Sequence, residues 1–241
     1  MQQFFERSYA AVKSVISAAK SAEELKAVTA HALVELDDIF AQRMIRLRAS
    51  IACCAGCCYC CYLKVDVLPA EAFLLADYVL NNCTEDEKSV VLMRAEANRV
   101  KISPLSCDQH MGANLPCPLL KDERCLAYSA RPSLCRMFHA QTVQTCKESF
   151  EQPEDLDSPD SQVTEIRVVL MVAREALAKA YKDCGYDARP YDLNSSLLEA
   201  LRDTNSEKRW RDKKAAFPRT ALAKDYVERR GGHPVGVRRR G

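Results

Sequence analysis

The residues of this chain with the most chemistry in them are its cysteines. Residues 53–61 read CCAGCCYCC, and a second group follows at Cys117, Cys125, Cys135 and Cys146. Within the first group, Cys54-x-x-Cys57-x-x-Cys60-Cys61 has metal-binding logic. Two residues between thiolates let a tight turn, or one helix face, aim both sulfurs at a single ion. Three cysteines at that interval also match the start of a ferredoxin-type run. Cys60 and Cys61, as neighbours, diverge on a helix or a strand alike. They are expected to face two metals or two irons of a cluster, or to leave one thiol behind the ligands. Disulfides are the weaker reading, because thirteen cysteines is an odd number and adjacent ones strain a bridge.

The thiols have to be held by something, and the flanking sequence reads as helices. Ser21–Glu24 has the capping-box pattern, and a stripe follows at Leu33, Leu36, Phe40, Met44, Leu47 and Ile51. Continued past Ile51, that spacing reaches Cys54 and Cys57, so the run is expected at the end of a long helix or in the loop after it. Tyr62–Val67 alternates as a short strand does. Pro69 should open a helix to about Asn81, since proline at a first helical position forfeits only an amide that is already unpaired. Thr84–Glu87 is a second capping box, before a helix expected to bury Val90, Met93, Ala97 and Val100. Further helices are expected from the stripe Ile166, Val169, Leu170, Ala173, Leu177 and Tyr181, and over Ser195–Arg202. The text between Pro104 and Cys146 is irregular. The fold class expected is therefore mainly α, with helices packed around a cysteine-rich middle that has at most a short strand or hairpin.

Charge is uneven although the net is only +2. From Glu207 to Gly241 there are twelve Lys/Arg against four Asp/Glu. This reads as a basic, solvated tail over 206–241, after a single helical domain over 1–205. Trp210 could stack on a base, but no base-reading fold accompanies it, which disfavours nucleic acid as a partner. The acidic stretch Glu151–Asp160 reads as a solvated linker. No apolar run is long enough to span a membrane, and residues 1–8 lack a cationic start followed by an apolar core, so a cytoplasmic protein is expected.

Cys54-x-x-Cys57-x-x-Cys60-Cys61, Cys117-Pro-Leu-Leu, and Cys125-Leu-Ala-Tyr128-Ser-Ala-Arg131-Pro132-Ser-Leu-Cys135-Arg136 together resemble the YkgJ-type cysteine-cluster family, known by its CxxCxxCC motif. The likeness covers roughly residues 50–147. It implies a zinc- or iron-chelating domain of a mostly bacterial family, similar also to the cysteine-rich part of flagellin lysine-N-methylases. Glu71 stands where members carry a glutamate at the start of a helix. Cys53 and Cys58 are additions to the pattern.

The expected ligands are Cys54, Cys57, Cys60, Cys61, Cys117, Cys125, Cys135 and Cys146, holding an iron–sulfur cluster or zinc in one site or two. Iron is slightly preferred on the strength of the C-x2-C-x2-C run and of Arg131 and Arg136 beside Cys135. Cys53, Cys58, Cys83, Cys107 and Cys184 are expected to be bystanders, and His110 and His139 ordinary satisfied histidines. Three functions follow as alternatives. The first is a metal or cluster protein in metal handling or electron transfer. The second is a cluster-dependent redox or methyltransferase-related enzyme, although no glycine-rich nucleotide loop is present. The third is a zinc-stabilised adaptor whose tail meets a protein partner.

Overall fold

A computed structural model describes residues 1–156 and 161–220. Its helices are α1 (Gln2–Ala18), α2 (Ala22–Leu47), α3 (Pro69–Asn82), α4 (Glu85–Ile102), α5 (Cys107–Met111), α6 (Ser133–Met137), α7 (Val143–Glu151), α8 (Thr164–Asp183), α9 (Leu193–Arg202) and α10 (Ser206–Arg211). Among the described residues, four two-residue strands form two antiparallel pairs. β1 (Asp66–Val67) lies against β4 (Tyr191–Asp192), and β2 (Leu120–Lys121) against β3 (Arg124–Cys125). The fold is mainly α, as the patterning requires.

Local chemistry starts most of these helices. The Ser21 hydroxyl accepts the Glu24 amide at 3.1 Å, and the Glu24 carboxylate reaches back to the Lys20 amide. Thr84 and Glu87 close the second capping box reciprocally. Asp192 caps α9 by accepting the Ser195 amide at 2.8 Å. The helix α2 stops at Arg48, which turns left-handed at φ 49°, so the cysteine run does not continue it. Of the alternating stretch from Tyr62, only Asp66 and Val67 pair as a strand.

α1 lies along α8, α2 crosses α3 and α8, and α9 packs on α3 and α4. The main core gathers Phe73, Leu75, Tyr181, Tyr191, Leu197, Trp210 and Phe217. A smaller one joins α2, α6 and α8 through Leu33, Leu36, Met137, Ile166 and Leu170.

Two expectations are corrected. On α4 the buried face is Val91, Ala95 and Asn98, while Val90, Met93 and Val100 are exposed. The inward stripe is partly polar. Asn98 donates to the Pro116 carbonyl and to Asn194 Oδ1, both at 2.8 Å, and Arg94 donates to the Leu120 carbonyl. A search for apolar periodicity alone settles on the wrong face of such a helix.

The second correction concerns the tail. Residues 206–220 are folded into the body: Trp210 and Phe217 are buried, and Trp210 Nε1 donates to the Asp187 carbonyl at 3.0 Å. The charges of α10 point outward around one inward tryptophan, and Arg209 pairs with Asp203 at 3.0 Å. The Arg238–Arg240 run and residues 157–160 of the acidic stretch lie outside the described residues. No helix among the described residues is long and apolar enough to cross a membrane.

Candidate metal centre

Backbone hydrogen bonds bring the two cysteine groups together. Cys57 N–H donates to the Cys54 carbonyl at 3.1 Å, closing a turn in which Gly56 stands at φ +90°. The single-turn 3-10 segment Tyr59–Tyr62 then carries Cys60 and Cys61. The Cys117 amide donates to the Cys61 carbonyl at 2.7 Å, which fastens the downstream group to the upstream one. The β2–β3 hairpin turns through Asp122 and Glu123, both left-handed as a two-residue hairpin loop requires, and delivers Cys125. Because no Cβ clash surrounds Gly56, alanine there is disfavoured by φ alone. Gly56→Ala is expected to lower stability by about 1–2 kcal/mol, read as a shift in urea midpoint.

Cys135 sits on the one-turn helix α6, whose start is held from the core. Glu71 is fully buried; its carboxylate accepts the Leu68 amide at 2.8 Å and the Ser133 amide at 2.7 Å. One side chain thereby caps both α3 and α6. Arg174 Nε donates to the Ser133 hydroxyl at 2.9 Å and extends the network towards Asp66.

All thirteen cysteines are free thiols. Cys57, Cys60, Cys61, Cys117, Cys125 and Cys135 are half-buried and open onto one cavity of about 500 Å³, which Cys54 also lines. Cys117, Cys125 and Cys135 all lie within electrostatic reach of Cys60. Cys146, on α7, lies within reach of Cys53, Cys57 and Cys60. Burial, then the neighbouring thiols, pushes Cys117 and Cys135 well above the ordinary thiol range. Cys60 is pushed up by a thiol–thiol hydrogen bond with Cys61 and then by burial. Burial raises Cys146 to about 11.

The arginines beside Cys135 divide their roles. Arg131 stacks on the Tyr128 ring at 3.7 Å and lies near enough to Cys60, Cys125 and Cys135 to favour their thiolate forms. Arg136 is committed to structure, donating to the Arg131 and Ser129 carbonyls and to Asp37.

Cys58 lies within electrostatic reach of Cys57 and Cys60, whereas Cys83, Cys107 and Cys184 do not line the thiol cavity. Cys83 closes α3, Cys107 opens α5, and Cys184 meets Ser17 at 3.4 Å. Buried His139 accepts the Val163 amide at Nε2, 2.9 Å, and its Nδ1 lies 2.9 Å from the Met137 carbonyl. Both ring nitrogens are thereby used in tying α6 to α8. His110 and Lys64 line the same cavity as the thiols, and both are buried. Lys64 pairs with Asp66, and His110 lies 3.8 Å from Asp192.

The donors suit a thiophilic metal, since sulfur ligands select zinc and iron–sulfur clusters. Among the described residues no three Cys, His, Asp or Glu groups already converge as ligands of one ion. A metal held by three or more of these thiols would therefore have to draw the sulfurs closer together. Cys53, read from spacing as a bystander, lies within electrostatic reach of Cys146, a nearness that depends on where α7 falls.

No curated protein and no solved structure matches the chain. A family model does, over residues 53–156. Over those residues the chain is similar to the CxxCxxCC family, which is described as a putative zinc- or iron-chelating domain.

Proposed function

We propose that this chain is a metal-binding protein that holds an iron–sulfur cluster or zinc, in metal handling or electron transfer. The candidate ligands are Cys54, Cys57, Cys60, Cys61, Cys117, Cys125, Cys135 and Cys146. The observation that carries the reading is the gathering of free, half-buried thiols about Cys60 from segments far apart in sequence. Buried thiols of this kind, undirected to any disulfide, are the donor set that a structural zinc or a cluster uses. When bound, the metal would supply a cross-link between these segments or, as a cluster, an electron-accepting centre. The protein's part is to keep the thiols close together and to place Arg131 where it offsets their charge.

Purification without oxygen, followed by metal and sulfide analysis and a visible spectrum, tests this. Iron with acid-labile sulfide in similar amounts identifies a cluster, and stoichiometric zinc in colourless protein identifies zinc. Neither metal retained, nor taken up by the reduced protein, would sink the reading.

Proton release gives a second measure. The folded thiols are held protonated, whereas metals bind thiolates, so uptake must expel protons. Adding zinc to reduced, metal-free protein in weak buffer at pH 7 is expected to acidify it by about one proton per ligand thiol. Acid is expected to strip the metal. Metal-free folding responds to the opposite end of the scale. Values raised in the folded state give a stability contribution that is complete below the unfolded thiol value, about 8.5, and lost as pH rises past it.

The enzyme reading draws support from one feature: Lys64, His110 and Asn194 line the same cavity as the thiols. Turnover with a candidate redox partner, abolished by Cys117→Ser and by a cavity-filling substitution at Leu193 alike, is the result expected of it.

A further inference from the structure

The helix α7 gives the thiols an orientation. Cys146 and Phe150 lie one turn apart on the same helix face. The Phe150 ring packs edge-on against Tyr59 at 5.6 Å and Tyr62 at 4.8 Å, either side of Cys60. That face of α7 therefore looks onto the turn carrying Cys57 and Cys60. The Ala52 amide donates to the Ala140 carbonyl at 2.8 Å, which brings the chain entering Cys53 to the same side. On the other side, the bond from Cys117 to the Cys61 carbonyl, the hairpin and α6 bring Cys117, Cys125 and Cys135 to Cys60 from the core. Electrostatic neighbours divide in the same way, and Cys60 belongs to both sets.

We propose that Cys60 is a bridging thiolate between two adjacent metal sites, an inner one completed by Cys117, Cys125 and Cys135 and an outer one completed by Cys53, Cys57 and Cys146. The proposal rests on the metal-binding reading above and revises its candidate ligands: Cys53 joins them, and the Cys54 and Cys61 thiols stand outside both sites. A thiolate sulfur has lone pairs enough for two ions, and sharing one spares the half-buried centre a further negative charge. The bridge also resolves the vicinal pairs. Cys61 serves through its carbonyl and its thiol contact with Cys60, and Cys54 serves through the carbonyl that closes the turn. Cys53 is exposed, so the outer ion should exchange with solvent components before the inner one.

Zinc added without oxygen to the reduced, metal-free full chain is the probe, with bound metal counted after desalting. About two zinc per chain are expected, falling to about one in Cys53→Ser, Cys146→Ser and Cys117→Ser, and to almost none in Cys60→Ser. Cys58→Ser should keep both. A colorimetric chelator should remove one zinc from the wild type quickly and one slowly, and Cys146→Ser should lose the fast phase. This kinetic result stands even if Cys60→Ser fails to fold. A single zinc lost alike in Cys117→Ser and Cys146→Ser would mean one site and overturn the bridge. So would two zinc of which Cys60→Ser removes only one. No zinc in the wild type would instead overturn the metal-binding reading.

Discussion

Glu71→Ala is expected to destabilise the protein by about 2–6 kcal/mol, because it leaves two buried amides without an acceptor at about 1–3 kcal/mol each. Those amides are Leu68 N–H and Ser133 N–H, the starting points of α3 and α6. Glu71→Gln offers one oxygen and one amino group, so it can satisfy one amide and must oppose the other. It should recover roughly half of the loss. Urea titration of the three proteins, at matched metal content, reads the difference. A midpoint for Glu71→Ala within error of the wild type would show that the carboxylate is not the cap described. Because Cys135 lies two residues beyond Ser133, the alanine variant should also hold metal more weakly, while its α1–α8 packing is untouched.

Trp210→Ala carries the second large effect, about 3–5 kcal/mol, the usual cost of truncating a buried aromatic side chain. Its ring lies 5.5 Å from Phe73, 5.5 Å from Tyr181 and 5.7 Å from Tyr186, in the centre of the main core. A tryptophan on a solvated tail would change stability by no more than about 0.5 kcal/mol when replaced. Thermal or urea unfolding distinguishes the two values, and retention of near-UV tryptophan asymmetry in the wild type gives an independent sign that the indole is packed.

Those two residues also mark the limits of what the chain discloses before it is folded. Glu71 is legible as a residue near a helix start, because Pro69 announces that helix. Its second amide at Ser133 is not, because nothing local links positions so far apart. Trp210 is hidden by its neighbours: Lys208, Arg209 and Arg211 set the average character of the segment, while one inward residue decides where it packs. The helix α8 is legible because apolar residues dominate its buried face, Arg174 excepted, whereas α4 is not because Asn98 does a buried residue's work with hydrogen bonds. For the thiols, spacing finds the cluster and its two groups. It cannot say which sulfurs face which, since this depends on the Cys61–Cys117 bond, the hairpin turn and the seating of α7.

The bond between the Cys61 carbonyl and the Cys117 amide has a consequence in time. A ribosome delivers CCAGCCYCC well before Cys117, Cys125, Cys135 and Cys146, and the chain begins to order from its leading end. During that interval six thiols stand together without their partners, while α3 and α4 are still being made. Closing so long a loop is slow relative to forming helices. The nascent chain therefore presents a half-site to the cell's reductants, oxidants and metal pool. A metal centre of the kind proposed would thus be open to selection of its ion while synthesis is still under way.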